Sequence, residues 1–159
     1  MYLNKRKAIF LISILSLVFF LTINDIKSQE LKVVDGDTIH LNGEKIRFSG
    51  IDTPELKQTC LKEGIQNPCG VTAKQILIGK IGNNNVKCIS EGKDQYKRIL
   101  AECFVNNESL SSYLVRSGYA FAYRKYSKNF IPDEDYARNN KLGMWSMEFD
   151  YPWDYRKNN

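Results

Sequence analysis

Asp35-Gly36-Asp37-Thr38, Arg47, Asp52-Thr53-Pro54-Glu55 and the Arg98 of Asp94-Gln95-Tyr96-Lys97-Arg98 form a set of charged residues that a solvated face does not require. Carboxylates gather a hard cation through their oxygens. A further carboxylate can take the proton of an attacking water, and guanidiniums can hold a phosphoryl group while charge builds on it. These are the parts needed to cut a phosphodiester.

Each part has a plainer reading when taken alone. Asp35-Gly36 is common turn chemistry. Asp52-Thr53-Pro54-Glu55 could start a loop and cap a helix. Arg47 could be one half of a surface ion pair. The joint order of the residues lifts the chemical reading above these. His40 reads as a strand surface residue, and Tyr113 and Phe121 read as core. Arg124-Lys125 and Lys128 form either a basic rim or a solvated face.

The elements that must position these groups are short. Leu31 to Val34 and Thr38 to Leu41 are β-type runs, and Asn42-Gly43 is the strongest hairpin signal in the chain. Glu44-Lys45-Ile46-Arg47-Phe48 alternates polar and apolar, so Arg47 points away from the face holding Ile46 and Phe48. Ile51-Asp52 continues this strand or bends it after Gly50. Lys57 to Gly70 reads as a loop. Val71 to Ile81 has helical spacing and ends at Gly82. Val86 to Ile89 and Ile99 to Val105 read as strands around a polar loop. A short amphipathic helix carries Leu110, Tyr113 and Leu114, with Ser109 or Asn107 as its cap. Asp133-Glu134-Asp135 opens a last helix behind Pro132. About five strands with one interposed helix and C-terminal helices predict an α+β fold, a small closed barrel of the oligonucleotide-binding (OB) type with about three helices.

The 159 residues, 43% hydrophobic and 12% aromatic, exclude a disordered chain and allow one domain with a true core. Lys5-Arg6-Lys7 followed by the apolar run Ala8 to Ile23 reads as a secretory leader over residues 1–28. An uncleaved anchor is the alternative, because Ile26-Lys27-Ser28 is a poor small-x-small cleavage site. Residues 29–145 would form the domain. The tail, residues 146–159, is too aromatic to hang free and is expected to pack on it. The leader holds four of the 23 basic residues and one of the 18 acidic ones, so the remainder carries a net charge of only +2. Attraction for phosphate must then come from local clustering. Cys60, Cys69, Cys88 and Cys103 follow the leader, and an even number in an exported chain reads as disulfides. Of three connectivities, Cys60–Cys69 within one loop and Cys88–Cys103 across two strands are the local pairings. A zinc site is the rival, but there is no Cys-x-x-Cys and His40 is the only histidine.

Taken together, Val33 to Thr38, Arg47 to Glu55 and Asp94 to Arg98, with Leu114 to Ala120 and Leu142 to Trp145, resemble the staphylococcal-nuclease (thermonuclease) family. The resemblance covers nearly all of residues 31–145 and implies a five-stranded OB barrel with three helices. It implies calcium-dependent hydrolysis of DNA and RNA by an exported bacterial protein, secreted or periplasmic, working as a monomer with no obligate protein partner. Asp37 and Asp52 match the calcium-binding carboxylates, and the carbonyl of Thr53 is a further ligand. Asp35 matches an acidic residue supporting the site. Glu55 matches the residue that activates the attacking water, and Arg47 and Arg98 match the two phosphate-holding arginines. Tyr96 and Tyr123 resemble the aromatic residues near the bound nucleotide, with Tyr126 a weaker match. Lys97 stands where the family often has glycine, and Gln95 where a basic residue is common. Two other classes compete with this reading. One is an OB-type module that binds nucleic acid without cutting it; the other is a disulfide-stabilised surface interaction domain. Calcium-dependent cleavage would exclude both.

Overall fold

Residues 29–159 are described by a computed structural model. The expected leader over residues 1–28 lies outside the described residues. Among the described residues no helix is long and apolar enough to cross a membrane.

The apolar alternation of the first strands builds the main sheet. Strands β1 (Leu31–Val33), β2 (Thr38–Leu41) and β3 (Glu44–Phe48) form an antiparallel meander. The turn between β2 and β3 is made by Asn42 and Gly43 at φ 51° and 84°, the left-handed pair that a two-residue hairpin needs. Strand β4 (Ile51–Asp52) follows a bend, and β5 (Cys60–Lys62) with β6 (Ile65–Asn67) makes a separate small hairpin. Helix α1 (Cys69–Ile81) leads to β7 (Lys87–Lys93) and β8 (Ile99–Val105), with β9 (Glu108–Ser109) paired to the end of β8. The sheet order is β1-β2-β3-β8-β7, and β3 runs parallel to β8. These five strands are the predicted ones. No pairing of β1 with β7 is seen among the described residues, so the hydrogen-bonded path stays open. A second, two-stranded sheet joins β4 to β10 (Phe121–Ala122).

Helices α2 (Leu110–Arg116), α3 (Ile131–Asn139) and α4 (Pro152–Asn158) complete the α+β, OB-type fold. Ser109 caps α2 by accepting from the Ser112 N–H at 2.9 Å. Among the described residues the helices exceed the expected three by α4, and a 3₁₀ turn covers Gly143–Ser146.

Ile39, Ile46 and Phe48 from the sheet meet Leu77 of α1 and Leu110 and Leu114 of α2 in the core. Full burial of each such side chain contributes about 1.5–3 kcal/mol. A second cluster centres on Phe121, whose ring lies 5.4, 5.2, 5.1 and 6.2 Å from those of Trp145, Phe149, Tyr151 and Trp153. The aromatic segment after residue 145 thus lies against β10. The disulfides are Cys60–Cys69 and Cys88–Cys103, with Cα atoms 5.9 and 4.1 Å apart. The second pair lies directly opposite in the β7–β8 register.

Candidate active site

The β1–β2 turn delivers Asp37. Its backbone N–H is held by Asp35 Oδ1 at 3.1 Å, an Asx contact that tightens the turn. Gly36 is required here because a β-carbon would meet Thr53 Oγ1 at 2.8 Å and the Ala73 β-carbon at 3.1 Å. Its absence lets the turn approach Thr53. Asp37 Oδ2 then accepts from the Thr53 N–H at 3.1 Å and from its hydroxyl at 2.8 Å.

Strand β3 delivers Arg47. The alternation of this strand puts Ile46 and Phe48 in the core and turns Arg47 the other way, as expected. Its Nη1 lies 2.5 Å from Asp37 Oδ2, and its Nη2 lies 2.9 Å from Asp52 Oδ1 and 3.2 Å from the Ile51 carbonyl. The Nη1 contact is an ion pair off the line of a hydrogen bond. Nη1 is buried with no hydrogen-bond partner among the described residues, so the ion pair with Asp37 is its one polar contact there. Asp52, on β4 and only 1% exposed, completes the pair of carboxylates that Arg47 bridges.

Glu55 follows Pro54 on the turn into the small hairpin. Its carbonyl packs on the start of α1, where a β-carbon on Gly70 would fall 1.8 Å from it. Gln58, fully buried, donates its own N–H to the Glu55 carbonyl at 2.7 Å. Its side chain accepts from the Glu55 N–H at 3.2 Å and donates to the Asp150 carbonyl at 2.7 Å. It therefore ties the Glu55 turn to the C-terminal segment. Sequence reasoning missed Gln58, because a lone glutamine in a polar loop carries no motif.

The β7–β8 turn delivers Arg98. Asp94 Oδ1 accepts from the N–H groups of Tyr96 and Arg98 at 2.9 Å each, and Asp94 Oδ2 pairs with Arg98 Nε at 2.7 Å. Lys97 sits at φ 65°, the left-handed region where glycine is most at ease. Tyr96 is 71% exposed, with the Arg98 guanidinium 5.6 Å from its ring centroid.

Arg156 of α4 was not foreseen. Its Nη2 lies 2.7 Å from Asp52 Oδ2, and its Nη1 lies 3.2 Å from Asp52 Oδ1 and 2.8 Å from Glu55 Oε1. The contact joins residues 104 positions apart, so no local pattern could have shown it. On the same helix Trp153 stacks on Tyr123, with centroids 5.7 Å apart and planes 8° apart. One face of Tyr123 is thus taken by the protein itself, and the Tyr126 ring meets it edge-on at 4.8 Å.

All the residues singled out from the sequence for catalysis, metal or substrate line one cavity of about 1130 Å³: Asp35, Asp37, Arg47, Asp52, Thr53, Glu55, Tyr96, Arg98 and Tyr123. Tyr126 and Arg156 line it too.

Crowding of acids marks its electrostatics. Burial, and then the charge of Asp37, push the Asp35 carboxyl up to about 6. Burial also pushes Asp52 up, while hydrogen bonds from Arg156 and the charge of Arg47 pull it down. Burial outweighs them, so the Asp52 carboxyl is raised on balance despite three guanidinium hydrogen bonds on its oxygens. Burial opposes charge on Arg47, but Asp37, Asp52 and Asp35 outweigh it and raise its pKa. The hydrogen bond to Asp52 does the same for Arg156.

Donors of this kind fit a hard divalent cation. The four carboxylates of Asp35, Asp37, Asp52 and Glu55 face the guanidiniums of Arg47 and Arg156, and the surplus is oxygen-rich and negative. Among the described residues no three His, Cys, Asp or Glu side chains gather closely enough to hold an ion alone. A cation would therefore draw further oxygens from the Thr53 carbonyl, water or a phosphate.

Residues 45–147 match the model of the family described as staphylococcal nuclease homologue. The chain belongs to the staphylococcal nuclease family. It is 29% identical over 123 residues to the succinoglycan biosynthesis protein ExoI of Rhizobium meliloti, covering 75% of this chain and 64% of that one. It is 28% identical over 123 residues to an uncharacterized endonuclease of Haemophilus influenzae, covering 73% and 64%. It is 31% identical over 127 residues to endonuclease YncB of Bacillus subtilis, covering 72% and 59%. The chain thus spans just under two thirds of the length of these relatives. Family membership fits the order of the charged motifs along the chain, from the β3 arginine to the Leu142-Gly143-Met144-Trp145 segment.

Proposed function

We propose that the protein is a calcium-dependent nuclease that hydrolyses phosphodiester bonds of DNA and RNA. The observation that carries this reading is the convergence of Asp37, Asp52, Glu55, Arg47 and Arg98 on one open cavity from four separate segments of the chain. The endonuclease names of two relatives support it.

Asp37, Asp52 and the Thr53 carbonyl would hold the cation, with Asp35 supporting Asp37. Bound calcium would supply Lewis-acid polarisation of a phosphate oxygen. Arg47 and Arg98 donate N–H groups to the non-bridging phosphate oxygens, where charge grows in the transition state. Both are held by carboxylates, which fixes the direction of their forks. Glu55, with its side chain 43% exposed to the cavity, accepts the proton of the attacking water. The new P–O bond forms from that water, the bond to the leaving oxygen breaks, and the leaving oxygen takes up a proton. Tyr96 offers an open ring face to a base, whereas Tyr123 offers only the side that Trp153 leaves uncovered. Export of the protein, secreted, periplasmic or membrane-anchored through residues 1–28, would suit both disulfides.

The test is plasmid and single-stranded DNA incubated with the purified chain in calcium or in chelator. Cleavage should occur only with calcium. Glu55→Gln and Arg98→Ala should each lose orders of magnitude in rate, and the losses should not add. Undiminished cleavage in chelator would refute the calcium requirement, and binding without cleavage would favour a module that only binds.

A further inference from the structure

Asp52 and Glu55 both have work in the proposed reaction, yet the group touching both of them, Arg156, has none. Its two terminal nitrogens cover the carboxylate Asp52 on both oxygens and reach one oxygen of Glu55. Arg47 Nη2 takes the remaining approach to Asp52 Oδ1, and Asp37 Oδ2 is engaged by Thr53 and Arg47. A carboxylate oxygen that accepts from a guanidinium cannot at the same time present that lone pair to a divalent cation, and the two positive charges would repel at such range. Asp52 Oδ1 has both acceptor sites taken, so Asp52 can offer that oxygen, or both together, to a cation only when one arginine yields.

The two arginines differ in their freedom to do so. Arg47 is buried in the sheet, bridges two carboxylates and also donates to the Ile51 carbonyl. Arg156 is 40% exposed in its side chain and stands near the end of a seven-residue helix. That helix is held at its other end, where Trp153 stacks between Tyr123 and Tyr151 at 5.7 and 4.6 Å. The side chain can swing out while the helix stays docked.

We propose that Arg156 is a built-in counter-ion of the cation site, which occupies Asp52 and Glu55 until a divalent cation takes its place. Arg156 thereby sets the cation concentration at which Asp52 becomes a ligand and Glu55 a free base. This rests on the calcium reading given above. Because Arg156 is tethered, it competes at a high local concentration that no washing removes. If it holds Asp52 for nine-tenths of the time, it weakens the apparent cation affinity by about tenfold. A lysine has no fork to cover both Asp52 oxygens and should compete less well.

The test is calorimetric titration of the full chain with Ca²⁺ alone, without nucleic acid, for wild type, Arg156→Ala, Arg156→Gln and Arg156→Lys. Removing the guanidinium should tighten Ca²⁺ binding about tenfold, with Arg156→Lys in between. Circular dichroism checks that each variant keeps its fold. If the alanine and glutamine variants do not fold, the lysine variant decides alone, and unchanged affinity there overturns the proposal. Wild-type binding with equal or weaker binding in folded variants also overturns it, leaving Arg156 as a residue that only positions Glu55. Binding in the variants but not in the wild type supports it. No Ca²⁺ binding by any of the four chains would remove both this proposal and the calcium reading.

Discussion

Arg47→Lys separates general electrostatics from the bridging geometry of the site. Arg47 spans Asp37 Oδ2 at 2.5 Å and Asp52 Oδ1 at 2.9 Å, and reaches the Ile51 carbonyl at 3.2 Å. An ammonium has three donors but no planar fork, so one Nζ cannot match both carboxylates and the Ile51 carbonyl in the guanidinium's geometry. Asp52 would keep Arg156, so the carboxylate left short is Asp37, which is buried and among the described residues has no other cation. It would retain hydrogen bonds from the Thr53 N–H and hydroxyl and from the Thr38 hydroxyl. A hydrogen bond to a charged group is worth about 1.5–3 kcal/mol, and breaking a buried pair by removing one partner costs about 3–5 kcal/mol. With Asp37 still partly solvated by these donors, Arg47→Lys should lose about 2 kcal/mol of stability, and Arg47→Ala about 3 kcal/mol. Urea unfolding in chelator at neutral pH measures both. Catalysis should suffer more. Removal of one well-placed donor costs about 10²–10³ in rate, and lysine loses the fork that fixes the second donor's position. The rate on single-stranded DNA at saturating calcium, below the unfolding transition, should therefore fall at least a hundredfold in both variants. A lysine variant of near wild-type stability and near full activity would refute the bridging role. A lysine variant that is unstable but fully active would make Arg47 a structural counter-ion only.

Asp35→Asn tests the acid crowding. The Asp35 carboxyl titrates at about 6 when folded against 3.8 in its ordinary state, so the folded chain holds this proton more tightly than the unfolded one. Stability should fall as pH rises from about 4 to 6, by at most about 3 kcal/mol. The asparagine variant still accepts the Asp37 N–H, and should be more stable than wild type by about 1 kcal/mol at pH 7.5 in chelator with little difference at pH 4; equal stability at both would contradict the assignment. Both disulfides close short loops, which constrain the unfolded chain by about 3 kcal/mol each in the chain-entropy picture. The paired substitution Cys60→Ala and Cys69→Ala, which frees the hairpin next to Glu55, should lower activity in step with or ahead of global unfolding; activity unaffected by either pair would show that the bridges only stabilise the fold.

Much of the frame was legible because it is local. Alternation in Glu44 to Phe48 turned Arg47 away from the core, and Asn42-Gly43 announced its turn. The Cys60–Lys62 and Ile65–Asn67 strands were read as loop for a related reason. Their turn uses Glu63 and Gly64 at φ 53° and 77°, so only one of the two left-handed positions has a residue that advertises it. Helix α1 starts at Cys69, two residues before the apolar spacing begins. The tail was different in kind. Its aromatic content showed that it had to be covered, but the position of α4 depends on Phe121 and Tyr123, about 30 residues away. Arg156 and Gln58 act through contacts 101 and 92 positions apart in the chain, to Glu55 and Asp150. Periodicity and caps carry nothing about pairs so distant.

The charge balance of the cavity leads to a last expectation about order of binding. Beyond residues 1–28 the chain is mildly positive, yet seven acidic and five basic residues line the cavity. Glu91, Asp94 and Glu102 add to the four acids of the Asp35–Glu55 region, while Lys93, Arg98 and Lys128 join Arg47 and Arg156. Burial raises the Glu102 pKa, and the balance of lining charges is unfavourable to a polyanion. A phosphate approaching this cavity meets net repulsion until a divalent cation offsets it. Nucleotide affinity should therefore depend on calcium beyond any direct metal–phosphate contact. A nucleoside 3′,5′-bisphosphate, titrated into the chain by calorimetry, should bind poorly in chelator and at least tenfold more tightly with saturating Ca²⁺. Raising salt should weaken the pair of Arg98 with phosphate but relieve the repulsion in the metal-free chain, so the two titrations should converge. Equal affinity with and without calcium would mean that Arg47 and Arg98 alone overcome the acids, and the cation would then serve the chemical step rather than substrate capture.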